Sequence, residues 1–233
     1  MDTVKYLGCD INQDGNIRRE VSKRISNSMT TFKKLDIFWR HSNCPTKFKI
    51  IALDAVVRSK LMYGLNTAQL NENEMKRLDI FQLKGLRKIM KKDTTYVNRA
   101  NTNERIFEMA NEQLKEEHGN NNKKEIKKII PFRKAYLCSK LKRLKRIINQ
   151  DQSNPCRKIT FRENLTVWTQ PNRLQWRPKI KWTDKALKEQ WEQMKEEKPE
   201  IRHITLYSNY YHRLLTPEAH QHITDFARTN ENT

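Results

Sequence analysis

The spacing of the apolar residues is the feature that most restricts the fold of this chain. Between residues 17 and 39, apolar side chains recur at intervals of three and four positions: Ile17, Val21, Ile25, Met29, Phe32, Leu35 and Trp39. This period places them along one side of an α-helix. Lys and Arg fill many of the positions between them, so the segment predicts an amphipathic helix with a basic outer face.

Several further segments have helical patterns, namely residues 48–63, 71–92, 100–118, 126–148, 184–197 and 217–227. The first of these is apolar on nearly all sides, which is typical of a helix packed between others, and we expect it to end at Gly64. Pro45 is expected to open that helix, Asn71 to cap the next one, and Pro131 to kink or split the 126–148 segment.

A short strand pattern precedes the first helix. Residues 4–11 are apolar-rich and are followed by Asp14-Gly15, which is the chemistry of a tight turn. We therefore expect a mainly α fold: a short N-terminal β-strand or hairpin, a helical bundle, and a second, basic, mostly helical tail domain.

The positive charge is concentrated in one part of the chain. Lys and Arg number 47 against 27 Asp and Glu, a formal charge of +20. Residues 1–122, 123–182 and 183–233 carry net charges of +7, +15 and −2. Short runs of Lys are usually part of a solvated surface. The large excess of basic over acidic residues in 123–182 instead favours a polyanionic partner, and nucleic acid is the first candidate.

A stretch rich in Asn divides the chain into two predicted domains. Residues 119–122 read as a linker between a strand-plus-helices unit at 1–118 and a basic C-terminal domain at 123–233. Within the second domain, helical periodicity is lost from 150 to 182, where Trp and Pro accumulate. We expect this segment to be irregular.

The segment CDINQDGNIRREV presents a choice between a calcium loop and a turn. Asp10, Asn12, Asp14 and Gly15 occupy the positions of the first ligands and of the turn in an EF-hand. An EF-hand also needs a preceding helix and a Glu at its twelfth position, where this chain has Val21. Turn chemistry is the better interpretation.

Four blocks of the sequence resemble a known family. They are KYLGCDINQDGNIRREVSKRI, FKKLDIFW, KIIALDAVVRSKLMYG and LDIFQLKGLRKI, within residues 4–92. In this order and spacing they resemble the segment just after the catalytic core of non-LTR (LINE-type) retrotransposon reverse transcriptases. Residues 177–184, RPKIKWTD, resemble an element common in the C-terminal tails of such reading frames.

The resemblance implies roles for these blocks. The last strand of the polymerase palm, beside the primer terminus, would be formed by Lys5, Tyr6, Leu7 and Gly8. The helices that follow would form the thumb, which grips the template–primer duplex. Enzymes of this family are RNA-directed DNA polymerases that bind two metal ions through an aspartate and a YxDD aspartate pair. This sequence contains no Asp-Asp pair. We therefore expect no independent catalysis and no cofactor, because magnesium would be bound by an upstream palm of the same reading frame.

Other chemistry finds little support in the sequence. The cysteines at 9, 44, 138 and 156 form no CxxC pair, and the six histidines do not combine with them at zinc-knuckle spacing. His220 and His222 lie two apart, so on a helix their rings point apart. No apolar run has the length of a membrane span, and we expect an intracellular, nuclear protein without a membrane partner.

The expected nucleic-acid contacts fall in both domains. Cations would hold phosphates, and Trp rings would stack on unpaired bases. These residues are Arg18, Lys23, Arg24, Arg87, Lys88, Lys140, Lys142, Arg143, Lys145, Arg146, Trp176, Arg177, Lys179, Lys181 and Trp182. The tryptophans have an equally good interpretation as the core of a small domain.

Three functions remain open on sequence grounds. The first is a thumb and C-terminal fragment of a retrotransposon reverse transcriptase, acting with the upstream polymerase domain on RNA, DNA or a hybrid duplex. The second is a free-standing helical protein derived from such an element, serving as an RNA-binding or assembly subunit. The third is a protein-interaction bundle whose basic faces meet an acidic partner.

Overall fold

The fold was analysed in a computed structural model, which describes residues 3–6, 9–12, 17–115, 128–162, 165–167, 182–209 and 214–228. The protein is mainly helical, as the sequence predicts. It divides into two compact units, Met1–Leu137 and Cys138–Thr233. The predicted linker at 119–122 lies outside the described residues.

The first unit begins with a small antiparallel hairpin. Strands β1 (Thr3–Tyr6) and β2 (Cys9–Asn12) pair with Val4 opposite Ile11. Helix α1 (Arg18–Lys34) follows, and α2 (Asp36–His41) begins after a break at Leu35. The predicted single helix over 17–39 is therefore two helices.

The next helix of the first unit contains a π-helical insertion. Helix α3 (Thr46–Ala52) follows Pro45, and a π-helical stretch at Leu53–Arg58 leads into α4 (Ser59–Met62). Gly64 adopts a φ of 69°, which residues with a side chain rarely adopt, so it ends the helix where the sequence predicts. This segment was expected to be packed between other helices, but one of its faces is exposed.

Helix α5 (Glu72–Met90) starts with a complete capping box. The Asn71 side chain accepts from the Glu74 N–H at 2.9 Å, and the Glu74 carboxylate accepts from the Asn71 N–H at 2.9 Å. The predicted cap at Asn71 is thus confirmed, and the reciprocal bonds satisfy two N–H groups that the helix itself cannot. Helix α6 (Asn103–Lys115) lies further along the chain.

Helices α1 to α6 enclose the core of the first unit. Buried residues of this core include Val21, Phe32, Trp39, Ile50, Leu53, Val57, Leu61, Leu78, Leu86, Ile106 and Ala110. The exposed apolar side chains on the α3–α4 segment are Phe48, Ile51 and Val56. Only one side of that segment is therefore core, which the apolar sequence alone did not indicate.

The start of helix α7 (Phe132–Asn149) belongs to the first unit. Asp79 accepts from the Arg133 N–H at 2.9 Å and Gln82 accepts from the Phe132 N–H at 2.8 Å. The Tyr136 hydroxyl donates to the Ala68 carbonyl at 2.7 Å. The boundary between the two units thus falls within α7, after Leu137, whereas the sequence places all of this helix in the second domain. Pro131 immediately precedes the helix.

The second unit has its own core. It contains α8 (Pro155–Thr160), α9 (Trp182–Glu197), a short hairpin of β3 (Tyr207–Asn209) and β4 (Leu214–Leu215), and α10 (Pro217–Arg228). The core residues include Leu144, Ile147, Phe161, Leu187, Trp191, Met194 and Ile223. Helix α8 differs from the predicted irregular 150–182 segment over six residues, and residues 163–164 and 168–181 of that segment lie outside the described residues. Asn154 caps helix α8 and Pro155 occupies its first turn, a combination that starts a helix without any apolar period.

Candidate nucleic-acid interface

A groove lies between helix α1 and helix α4 in the first unit. Its volume is about 440 Å³, and its walls are Glu20, Lys23, Arg24, Asn27, Ser59, Lys60 and Tyr63. We call it the α1–α4 groove. It brings together Lys23 and Arg24, which were predicted as phosphate contacts, with Lys60 and Tyr63, which were not predicted as contacts.

Arg24 and Glu20 form a buried ion pair at this groove. The Arg24 Nε lies 2.5 Å from the Glu20 carboxylate, and both side chains are nearly inaccessible to solvent. Glu20 also accepts from the Asp10 backbone N–H at 3.0 Å, which ties strand β2 to helix α1. Arg24 is consequently a structural cation, and direct phosphate binding by its guanidinium is not favoured in this conformation.

Tyr63 is the exposed aromatic residue of the groove. The carbon of the Arg24 guanidinium lies over the Tyr63 ring, 5.7 Å from its centroid. Even so, 62% of the residue is exposed. The ring is thus held beside a cation while much of its surface faces solvent, an arrangement that suits stacking with a flat ligand group.

Lys23 and Lys60 supply the more accessible charges of the groove. Lys23 Nζ lies 2.6 Å from the Asp10 carboxylate, and 41% of its side chain is exposed. Lys60 Nζ donates to the Thr31 hydroxyl at 2.7 Å and is also exposed. Such exposed contacts are weak, so either ammonium group can turn to an anion in the groove.

The cation predicted at position 18 lines a different groove of the first unit. Arg18 is exposed and lies beside Ser22, Asn71 and Arg77 around a volume of about 450 Å³. Arg77 donates to the Ser22 hydroxyl at 2.9 Å. Arg18 is therefore placed near solvent, as a phosphate contact requires, but outside the α1–α4 groove.

The side chains of Arg87 and Lys88 bind other residues of the first unit. Arg87 donates to the Asn101 carbonyl at 3.2 Å and to the Asn103 side chain at 2.9 Å. Lys88 is ion-paired with Asp36 and hydrogen-bonds to it, and this bond is the largest of the effects that lower the pKa of Asp36. These two predicted contacts therefore connect helix α5 to its neighbours.

A second cationic surface lies on helix α7 within the second unit. Lys142, Arg143 and Arg146 are exposed and lie within about 100° of the helix circumference. Residues 132–149 contain no Asp or Glu. Among the described residues, these three side chains have no ion-pair partner. We call this set the α7 cation face.

Lys140 and Lys145 come from the same helix but point elsewhere. The Lys140 side chain is fully buried, and its ammonium lies 3.0 Å from the Glu189 carboxylate. Desolvation by burial lowers the pKa of Lys140, against the opposing effect of Glu189. Lys145 lies over the Phe226 ring at 3.8 Å, and burial lowers the pKa of Lys145 as well. The prediction of a phosphate contact is not supported for Lys140.

Some of the remaining predicted residues have structural roles, and the others lie outside the described residues. Trp182 packs against the second core, 5.9 Å from the Lys140 ammonium, which agrees with the core interpretation of this tryptophan. Lys5 and Tyr6 lie in β1. The other predicted positions fall outside the described residues: Leu7, Gly8, Trp176, Arg177, Lys179 and Lys181.

Sequence reasoning missed Lys60, Asn27 and Tyr63 as candidate site residues. Tyr63 lies in the quoted block that ends in Tyr-Gly, but a pattern of sequence letters does not reveal exposure. Lys60 lies in α4, three residues before Tyr63, which directly follows the helix.

The comparisons with known proteins leave the family open. No family model, curated protein or solved structure matches this chain. Across the described ranges, no group of three or more His, Cys, Asp or Glu is arranged to hold a metal ion. In the same part of the chain, no helix has both the length and the apolar character needed to cross a membrane.

Proposed function

We propose that this protein binds the sugar–phosphate backbone of nucleic acid. The observation that carries the proposal is the α7 cation face, with exposed Lys142, Arg143 and Arg146 on a helix without any acidic residue. Phosphate contacts of this kind position a nucleic acid without reading its sequence. The proposal therefore covers RNA, DNA and hybrid duplexes alike.

The arrangement of the α7 cation face is unfavourable unless an anion is present. Lys142 and Arg146 are four residues apart, and like charges at this spacing destabilise a helix by about 0.2–0.5 kcal/mol. The positive charge of Lys142 also contributes to lowering the pKa of Lys145. A bound phosphate chain removes this repulsion, which is why a polyanion is the best match for the surface.

A narrower form of the proposal comes from the resemblance of residues 4–92 to retrotransposon reverse transcriptases. In this form the first unit is a thumb that grips a template–primer duplex, and the chain acts with an upstream polymerase domain of the same reading frame. In this form the polymerase active site belongs to the upstream domain. The exposed cations of the α1–α4 groove and Arg18 support a phosphate contact by this unit.

A charge-matched pair of triple variants tests the backbone-binding proposal. Lys142→Gln, Arg143→Gln and Arg146→Gln remove the α7 cation face. The control removes the same charge from Lys195, Lys198 and Arg202, in the acidic region at the end of α9. We expect the first triple variant to bind a labelled duplex at least about tenfold more weakly, and the control to bind like wild type. Equal affinities of the two variants would refute the proposal.

A further inference from the structure

The α1–α4 groove combines features that bind a base and features that bind a phosphate. Its exposed Tyr63 ring offers a flat surface, and Lys23 and Lys60 place ammonium groups at the same groove. The carboxylate of Glu20 is engaged by the Arg24 guanidinium and by the Asp10 N–H. The Asp10 carboxylate is paired with Lys23, so Lys60 supplies the remaining charge and the net charge of these groups is positive.

The size and setting of the groove fit one nucleotide. A volume of about 440 Å³ lies in the usual range for small-ligand sites, which is about 300–1,000 Å³. The Arg24 guanidinium carbon lies over the Tyr63 ring, 5.7 Å from its centroid, and the attraction between a cation and an aromatic ring favours this position of the ring. In a duplex the bases are stacked on each other and are not available to such a ring.

We propose that the α1–α4 groove takes an unpaired nucleotide of a single-stranded nucleic acid, with the base stacked on Tyr63 and the adjoining phosphates held by Lys23 and Lys60. This inference rests on the proposed function and adds a preference that the α7 cation face does not provide. Base–aromatic stacking tolerates any base, so the site selects unpaired strands without selecting their sequence.

Photocrosslinking of the full chain locates the stacked base directly. A single-stranded oligomer carrying 5-iododeoxyuridine is irradiated with the protein, which is then digested with trypsin. The tryptic peptide 61–76 contains Tyr63 as its only aromatic residue, and the peptide 93–99 contains Tyr96 as its only one. Tyr96 is 97% exposed and outside the groove, so it reports the adduct expected from exposure alone. We expect the adduct in peptide 61–76 and little in peptide 93–99.

Binding measurements then test whether the ring contributes to affinity. Tyr63→Leu should weaken binding of a labelled oligodeoxythymidine of about 12 nucleotides by roughly 5- to 100-fold. Binding of a duplex should be unchanged. Tyr63→Phe, which keeps the ring, and Tyr96→Leu should both bind the oligomer like wild type. Because Tyr63 is largely exposed, its substitution should leave the fold intact.

Defined outcomes would overturn the inference. The first is an adduct as abundant in the peptide with Tyr96 as in the peptide with Tyr63. The second is an equal loss of affinity for duplex and for single strand in the Tyr63→Leu variant. The third is an affinity for thymidine monophosphate equal to the affinity for the oligomer. If Tyr63→Leu has no effect while the α7 triple variant binds weakly, the inference fails and the proposed function stands. If wild-type protein binds neither probe, both fail.

Discussion

The Lys140 ammonium lies 3.0 Å from the Glu189 carboxylate inside the second unit, whereas Lys142, two residues further along the same helix, is exposed. Lys140 falls on the helical stripe that continues through Leu144 into the core. The two lysines have the same chemistry and nearly the same sequence context. Their positions on the helix give one a structural role and the other an accessible charge.

Replacing Lys140 should not affect nucleic-acid binding. Lys140→Met leaves the Glu189 carboxylate without its nearest cation, so we expect unchanged affinity but a loss of up to about 3 kcal/mol in unfolding free energy. Lys142→Met, on the same helix, should weaken binding instead. Filter binding and urea unfolding of both variants check this prediction. A Lys140→Met protein that folds but binds more weakly than Lys142→Met would contradict the assignment.

Tyr136 should stabilise the first unit through its hydroxyl group. The hydroxyl donates to the Ala68 carbonyl at 2.7 Å and accepts from the Leu70 N–H at 3.2 Å. Tyr136→Phe leaves both buried backbone groups without this partner, and we expect a loss of about 1–3 kcal/mol in unfolding free energy. Hydrogen exchange at Leu70 provides the local readout. Unchanged exchange there would contradict the role of α7 in the first unit.

Glu20 should be more important for stability than an exposed carboxylate with a similar partner. Glu20→Ala removes the buried carboxylate that faces Arg24 and Asp10, and we expect a loss of up to about 3 kcal/mol. Glu72→Ala is the control, because its pair with Arg133 is exposed and should contribute less than about 1 kcal/mol. Hydrogen exchange of α1 amides compares the two variants. Similar protection in both would show that the buried pair adds nothing.

The Asp36–Lys88 pair should make stability depend on acidic pH. The bond from Lys88 lowers the pKa of Asp36 below the ordinary aspartate value of 3.8. The folded state therefore favours the ionised carboxylate of Asp36. The resulting contribution to folding stability is fully present above pH 3.8, and it is lost as the pH falls through the lower pKa of the folded state. Lys88→Gln should shift the carboxyl titration of Asp36 upward, as measured by carbon-detected NMR. No upward shift would show that Lys88 does not cause the depression.

The helices of this fold were predictable because their apolar residues repeat with the helical period. Met75, Leu78, Leu86 and Ile89 are all buried along α5, and the Asn71 cap is in place. Caps and breakers act locally, so their effect can be seen in a few residues. The break at Leu35 was not predictable, because the apolar pattern continues through it from Phe32 to Trp39.

The candidate site was less predictable because charge in a sequence does not reveal its surroundings. Arg24, Arg87 and Lys88 look like surface cations, yet all three have partners within the fold. A clue for Arg24 was Glu20 four residues earlier, which is the spacing of an ion pair on a helix. The partners of Arg87 and Lys88 are distant in sequence or lie on other helices, so only the tertiary structure identifies them.

The salt dependence of nucleic-acid binding tests the central claim most directly. Each phosphate contact contributes about 0.9 to the slope of log K against log salt. If the wild-type chain makes about six to ten contacts, its affinity should fall about a thousandfold or more between about 50 and 200 mM salt. The Lys142, Arg143 and Arg146 triple variant should have a slope shallower by about 2.7. A flat wild-type response, or identical slopes for wild type and variant, would contradict the account.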